Sequence, residues 1–210
     1  MSASAYERLV ADVRGCRACV VAPAGKPLPH APRPVVRVAP SARIAVCGQA
    51  PGARVHASGI PFDDASGVRL RSWMGVTPAQ FYDERKVAIL PMGFCFPGND
   101  AKGGDLPPRR ECAPLWRDKV LAQLPELELM LLVGQYAQRW HLSRRFERPW
   151  RTGLTDTVRD WRTLVHANAR PVLIPLPHPS WRNTGWLKAN PWFEAELVPE
   201  LQSRVRLMMP

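Results

Sequence analysis

Two short loops far apart in the chain, Gly48-Gln49-Ala50-Pro51-Gly52 and His178-Pro179-Ser180, each follow an apolar run, residues 42–47 and 171–176. Both runs are short and apolar throughout, as strands covered on both faces are. Loops at the carboxyl ends of neighbouring strands meet over one crevice. The pairing therefore predicts a small Gly/Pro turn and a histidine on a shared rim. Strand-like runs at 43–47, 87–92, 127–133 and 172–176 alternate with helical patterns at 67–74, 110–124, 135–141, 155–165 and 192–204. A first helix is expected over residues 3–14, where Tyr6, Leu9, Val10 and Val13 share one face. Alternation of this kind predicts an α/β fold with a parallel sheet between two helical layers.

A chain of 210 residues, 46% of them hydrophobic, suits a single domain with one core. No apolar run approaches the roughly eighteen residues of a bilayer span. The first thirteen residues carry Glu7, Arg8 and Asp12 in place of a signal peptide's apolar centre, so a soluble, cytoplasmic protein is expected. Lys and Arg total 29 against 18 acidic residues, a formal charge of +11. That excess favours a polyanionic partner, and the pairs Arg69/Arg71, Arg109/Arg110 and Arg144/Arg145 suit phosphate contacts. Many of the 23 prolines fall in 22–40 and 96–108, which predicts extended loops there. The second stretch, with Lys102, Gly103, Gly104 and Asp105, matches no phosphate-binding pattern and is assigned no chemistry.

Four cysteines form a set: Cys16 and Cys19 as a C-x2-C pair, then Cys95 and Cys112. In a reducing compartment such a set holds a metal or cluster more readily than disulfides. Four thiolates satisfy a [4Fe-4S] cluster and also a structural zinc ion, so the residues alone leave both open. Cys47 lies inside the first strand and reads as a buried, inert thiol.

The two loops, the Gly59-Ile60-Pro61-Phe62 segment and the four cysteines, in this order over about residues 16–190, resemble the uracil-DNA glycosylase superfamily, and most of all its iron-sulfur branch, family 4. The resemblance implies a three-layer sandwich around a four-stranded sheet, and it favours a structural [4Fe-4S] cluster on Cys16, Cys19, Cys95 and Cys112. It also implies that His178 donates to the departing base, that Phe62 stacks on the flipped ring, and that the loop continuing through Trp181 and Arg182 enters the minor groove. Ala50 and Gly52 bring backbone N–H groups close to the ligand, and Asp64, Ser180 and Asn183 complete the expected substrate contacts.

Two positions depart from the family pattern. Gln49 stands where related enzymes carry Glu, Asp or Asn to manage water; an amide can hold water but cannot take its proton. Asp63, Asp64 and His56 are the nearby substitutes. Pro91 stands where family 4 has an asparagine that reads uracil, so backbone groups at 92–94, or Asn99, become candidate edge readers. The expected function is that of a monomeric glycosylase acting on DNA with a deaminated base, uracil first, with hypoxanthine or xanthine as alternatives. The rival is a cluster-containing DNA-binding protein with this fold and little or no activity.

Overall fold

The computed structural model describes residues 4–167 and 169–209. The first helix, α1 (Ala5–Arg14), starts at a capping box: Ser4 accepts from the Glu7 N–H at 3.2 Å, and the Glu7 carboxylate accepts from the Ser4 N–H at 2.7 Å. Ala3, the expected start, lies outside the described residues. A single turn, α2 (Ala18–Val21), separates α1 from a long extended segment.

The sheet holds β1 (Ile44–Cys47), β2 (Val87–Ile89), β3 (Leu129–Val133) and β4 (Val172–Leu176), all parallel, in the order β2-β1-β3-β4. Alternate side chains point to opposite faces. Ile44, Val46, Ile89, Leu131 and Ile174 enter one core, against α4 (Ala65–Met74), α5 (Pro78–Tyr82), α9 (Trp161–Val165) and α11 (Val198–Met208). Ala45, Cys47, Leu90, Met130 and Leu132 enter the other, against α1, α6 (Cys112–Leu121) and α7 (Gln135–Arg145). The sandwich is therefore three-layered, as the strand composition predicts. No helix among the described residues is long and apolar enough to cross a membrane.

Several boundaries differ from the sequence expectation for identifiable reasons. β2 stops at Ile89, two residues before Pro91, which has no N–H for the ladder. The chain nevertheless continues beside β1, with Leu90 N–H on the Val46 carbonyl, Met92 N–H on Gly48 and Gly93 N–H on Gln49, at 2.8 to 2.9 Å. The helix expected over 155–165 divides at Asp160 into α8 (Leu154–Arg159) and α9. Before α11 the chain makes a π-helical turn, Phe193–Leu197, because Pro199 interrupts the regular ladder. Short helices α3 (Ala53–Ser58), α5 and α10 (Thr184–Ala189) were not foreseen.

One buried group is unexpected. Arg117, on α6, is 1% exposed, and its guanidinium donates to the carbonyls of Leu90 at 2.9 Å and Pro91 at 2.6 Å. Burial lowers its pKa from the ordinary arginine value, while the carbonyl oxygens, Met92 Sδ at 3.2 Å and Cys47 Sγ at 3.7 Å supply partial negative charge.

Candidate active site

β1 lies between β2 and β3, so the chain leaves it in opposite directions and a crevice opens at the carboxyl ends of the strands. A cleft of about 240 Å³ occupies that end of the sheet. The Gly48–Gly52 turn, Phe62, Asp64, Pro91, Asp105 and His178 contribute to its walls. The two loops singled out in the sequence do share one rim.

His178 comes two residues after β4. Its Nδ1 accepts the Ser180 N–H at 3.3 Å, which leaves the proton of the neutral ring on Nε2. Burial lowers its pKa, while Asp64 and Asp105 act in the opposite direction, so the ring is neutral at pH 7. Asn183 Nδ2 donates to the His178 carbonyl at 2.7 Å, which gives this side chain a duty within the loop itself. From α4, Arg69 donates to the Ser180 carbonyl at 3.0 Å and lies 3.4 Å from Thr184 Oγ1. The sequence reading took Arg69 for a phosphate contact; here it anchors the histidine loop.

Phe62 has φ of +56°, in the left-handed region that a bulky residue seldom occupies. Its carbonyl is held by Tyr82 Oη at 3.1 Å and Arg71 at 3.3 Å, and its ring meets Phe81 edge-on with centroids 6.0 Å apart. Two glycines accommodate it: Gly67, in the first turn of α4, leaves room for the Phe62 carbonyl, and Gly48 leaves room for its ring. Asp64 caps α4, its Oδ1 accepting the Gly67 N–H at 3.0 Å, and it also borders the cleft.

The remaining candidates sort by position. Gln49 lines the cleft and donates weakly to the Leu106 carbonyl at 3.4 Å. Asp63 lies 3.8 Å from Arg54 on the exposed side of the loop, and His56 packs with His30 and Phe96 at centroid distances of 4.3 and 5.8 Å. Pro91 lines the cleft, as its alignment with the edge reader predicts. The backbone donors proposed to replace that reader are engaged: Met92 and Gly93 bond to the first loop, and Phe94 N–H lies 3.3 Å from Cys112 Sγ. Asn99 is exposed and gives its amide to the Gly103 carbonyl at 3.3 Å and Asp105 Oδ1 at 3.2 Å. Asp105, Arg54 and Ser66 are polar cleft residues to which the sequence reading assigned no role.

The rim is apolar in places. Trp181, opening the 3₁₀ turn Trp181–Asn183, is 74% exposed, with the Arg182 guanidinium 5.9 Å from its ring centroid. Ile60, Val68, Leu106 and Tyr136 are also exposed, on loops or first helical turns that follow strands β1, β2 and β3.

On the opposite helical layer, Cys16, Cys19, Cys95 and Cys112 line one small cavity with Phe94 and Trp116, and all four are free thiols. Trp116 Nε1 donates toward Cys16 Sγ at 3.2 Å. Burial pushes the Cys95 and Cys112 thiols up to about 12. Among the described residues, no three His, Cys, Asp or Glu side chains are gathered as a single-ion site. Arg109, paired with Glu111 at 2.8 Å and bonded to the Lys26 carbonyl at 2.7 Å, closes the loop around this cavity.

A parallel sheet between helical layers, with a cleft at its switch point walled by Phe62 and His178, defines the class of this α/β domain. The sequence matches the uracil DNA glycosylase superfamily over residues 36–202, and the chain belongs to that superfamily. The match includes both cleft loops, Phe62, Cys95 and Cys112, and begins after Cys16 and Cys19.

Proposed function

We propose that this protein is a monofunctional DNA glycosylase, acting as a monomer, that hydrolyses the N-glycosidic bond of a flipped deaminated base, uracil first, and leaves an abasic site. The observation that carries the reading is His178: a neutral ring on the cleft wall, with Nδ1 occupied by a backbone N–H and Nε2–H left as donor. As the bond breaks, negative charge collects on the base oxygen, and a donor aimed at that atom stabilises the transition state more than the ground state. Phe62 offers its ring to the base, and the Gly48–Gly52 turn lets backbone approach it closely. Positive charge on the protein and the exposed Trp181 and Arg182 support a role in gripping DNA and filling the gap that base flipping leaves.

Pro91 favours a second reading of specificity. A proline in the cleft wall offers no side-chain amide to read uracil, so hypoxanthine or xanthine is the alternative substrate. Release of free base by excess protein from single- and double-stranded oligonucleotides carrying uracil, hypoxanthine or xanthine is the test. Release is expected from uracil. DNA binding without release from any of them would establish the non-catalytic alternative.

Cys16, Cys19, Cys95 and Cys112 would hold a [4Fe-4S] cluster, whose role is to fix the amino-terminal segment against α6. Four cysteines lining one cavity supply the four thiolates that such a cluster takes; zinc, which also accepts four thiolates, is the alternative. Anaerobically prepared protein is expected to be brown and to contain about four irons per chain. Stoichiometric zinc in its place would overturn the assignment.

A further inference from the structure

Hydrolysis of a glycosidic bond consumes water, and some group must receive its proton. Gln49, the polar side chain of the first cleft loop, cannot. Asp64 is committed through Oδ1 to the cap of α4. The loop over residues 96–108, to which the sequence reading assigned no chemistry, delivers a carboxylate to the same cleft.

That loop is an ordered turn. Asn99 and Asp105 form an antiparallel bridge, Leu106 N–H bonds to the Gly98 carbonyl at 2.9 Å, and Asp100 Oδ1 accepts the N–H groups of Lys102 and Gly104 at 2.8 and 2.9 Å. Gly98 and Gly103 take positive φ, which lets the chain reverse. The outcome is that Asp105 faces the first loop. Its Oδ1 accepts from Asn99 Nδ2 at 3.2 Å, while its Oδ2 lies 3.3 Å from where a Cβ on Gly52 would stand. Gln49 donates to the carbonyl of the next residue, Leu106, at 3.4 Å, and both Gln49 and Asp105 line the cleft.

On the glycosylase reading above, we propose that Asp105 is a catalytic residue that takes the proton of the attacking water, with Gln49 holding that water and Asn99 positioning the carboxylate. The water oxygen bonds to C1′ of the sugar while the C1′–N bond breaks, and its electron pair leaves with the base, whose oxygen is met by His178 Nε2–H. One water proton passes to Asp105, and the base anion is later protonated. The charged and titratable groups sharing the cleft with Asp105 are Arg54 of α3, Asp64 at the start of α4 and the neutral His178 after β4.

The test is single-turnover excision from the base the parent protein releases, with affinity for an abasic-site duplex measured separately. Asp105→Asn is expected to slow excision by about 10²-fold or more while binding holds, because a general base typically contributes that much. Asp105→Glu should recover part of the rate. The inference is overturned if Asp105→Asn excises at the parental rate, if rate and affinity fall together, or if Asp64→Asn alone abolishes excision. Absence of release by the parent protein from uracil, hypoxanthine and xanthine substrates alike would instead remove the glycosylase reading, and this role with it.

Discussion

His178→Ala should lower single-turnover base release by about 10²- to 10³-fold, the usual effect of removing one donor from a developing oxyanion. The loop itself should survive the change. Asn183 bonds to the main-chain carbonyl of residue 178 and Arg69 to that of residue 180, and neither needs the imidazole. Affinity for abasic-site DNA and the thermal unfolding temperature are therefore expected to stay close to parental, which separates lost chemistry from lost structure. The pH dependence has a defined sign. Burial lowers the pKa of His178, so the ring stays neutral at and above pH 7; protonation at lower pH would put a hydrogen on Nδ1 and expel the Ser180 N–H. Undiminished release by His178→Ala would sink the proposed role.

Gly67→Ala is expected to be the most damaging small substitution near the cleft. A Cβ at residue 67 would stand 1.8 Å from the Phe62 carbonyl oxygen and 2.7 Å from its carbonyl carbon. Backbone cannot rotate aside as a side-chain tip can, and this carbonyl is fixed by Tyr82 and Arg71 while φ of Phe62 is already +56°. The alanine must displace either the first turn of α4 or Phe62, whose ring lines the cleft. A loss of about 1–3 kcal/mol in unfolding free energy is expected, as for other overpacked sites, together with impaired excision. Chemical denaturation measures the first and the oligonucleotide assay the second. A variant of parental stability would show that α4 and Phe62 do not approach as described.

The legible parts of this molecule were those whose signal is local. Strands such as Leu129–Val133 are apolar at every position, and that composition belongs to a sheet covered on both faces. His178 and the Gly48–Gly52 turn could be found because each follows such a strand directly, and their meeting is a property of parallel sheets. Phe62 was legible through its Gly59-Ile60-Pro61 context, although nothing in the chain announces its left-handed backbone. Helices α3, α5 and α10 are too short for a hydrophobic period to emerge. Asp105 was given no chemistry because its place depends on pairing within a proline-rich loop; only the glycines at 98 and 103, bracketing a turn, hinted at order there. Arg69 could not be assigned to the histidine loop, since its partner is 111 residues away. Nothing in the sequence singles out Arg117, and its burial emerges only from packing against the end of β2.

That buried guanidinium joins two regions that otherwise look independent. α6 opens with Cys112, and the carbonyl that Arg117 holds at 2.6 Å belongs to Pro91 in the cleft wall. A cation sealed from water tolerates little drift, because each carbonyl it loses leaves charge uncompensated. The position of Pro91 in the cleft wall is thus tied, through Arg117, to how α6 is seated on the sheet. A substitution that reseats that helix is expected to reach the cleft through Arg117 and Pro91.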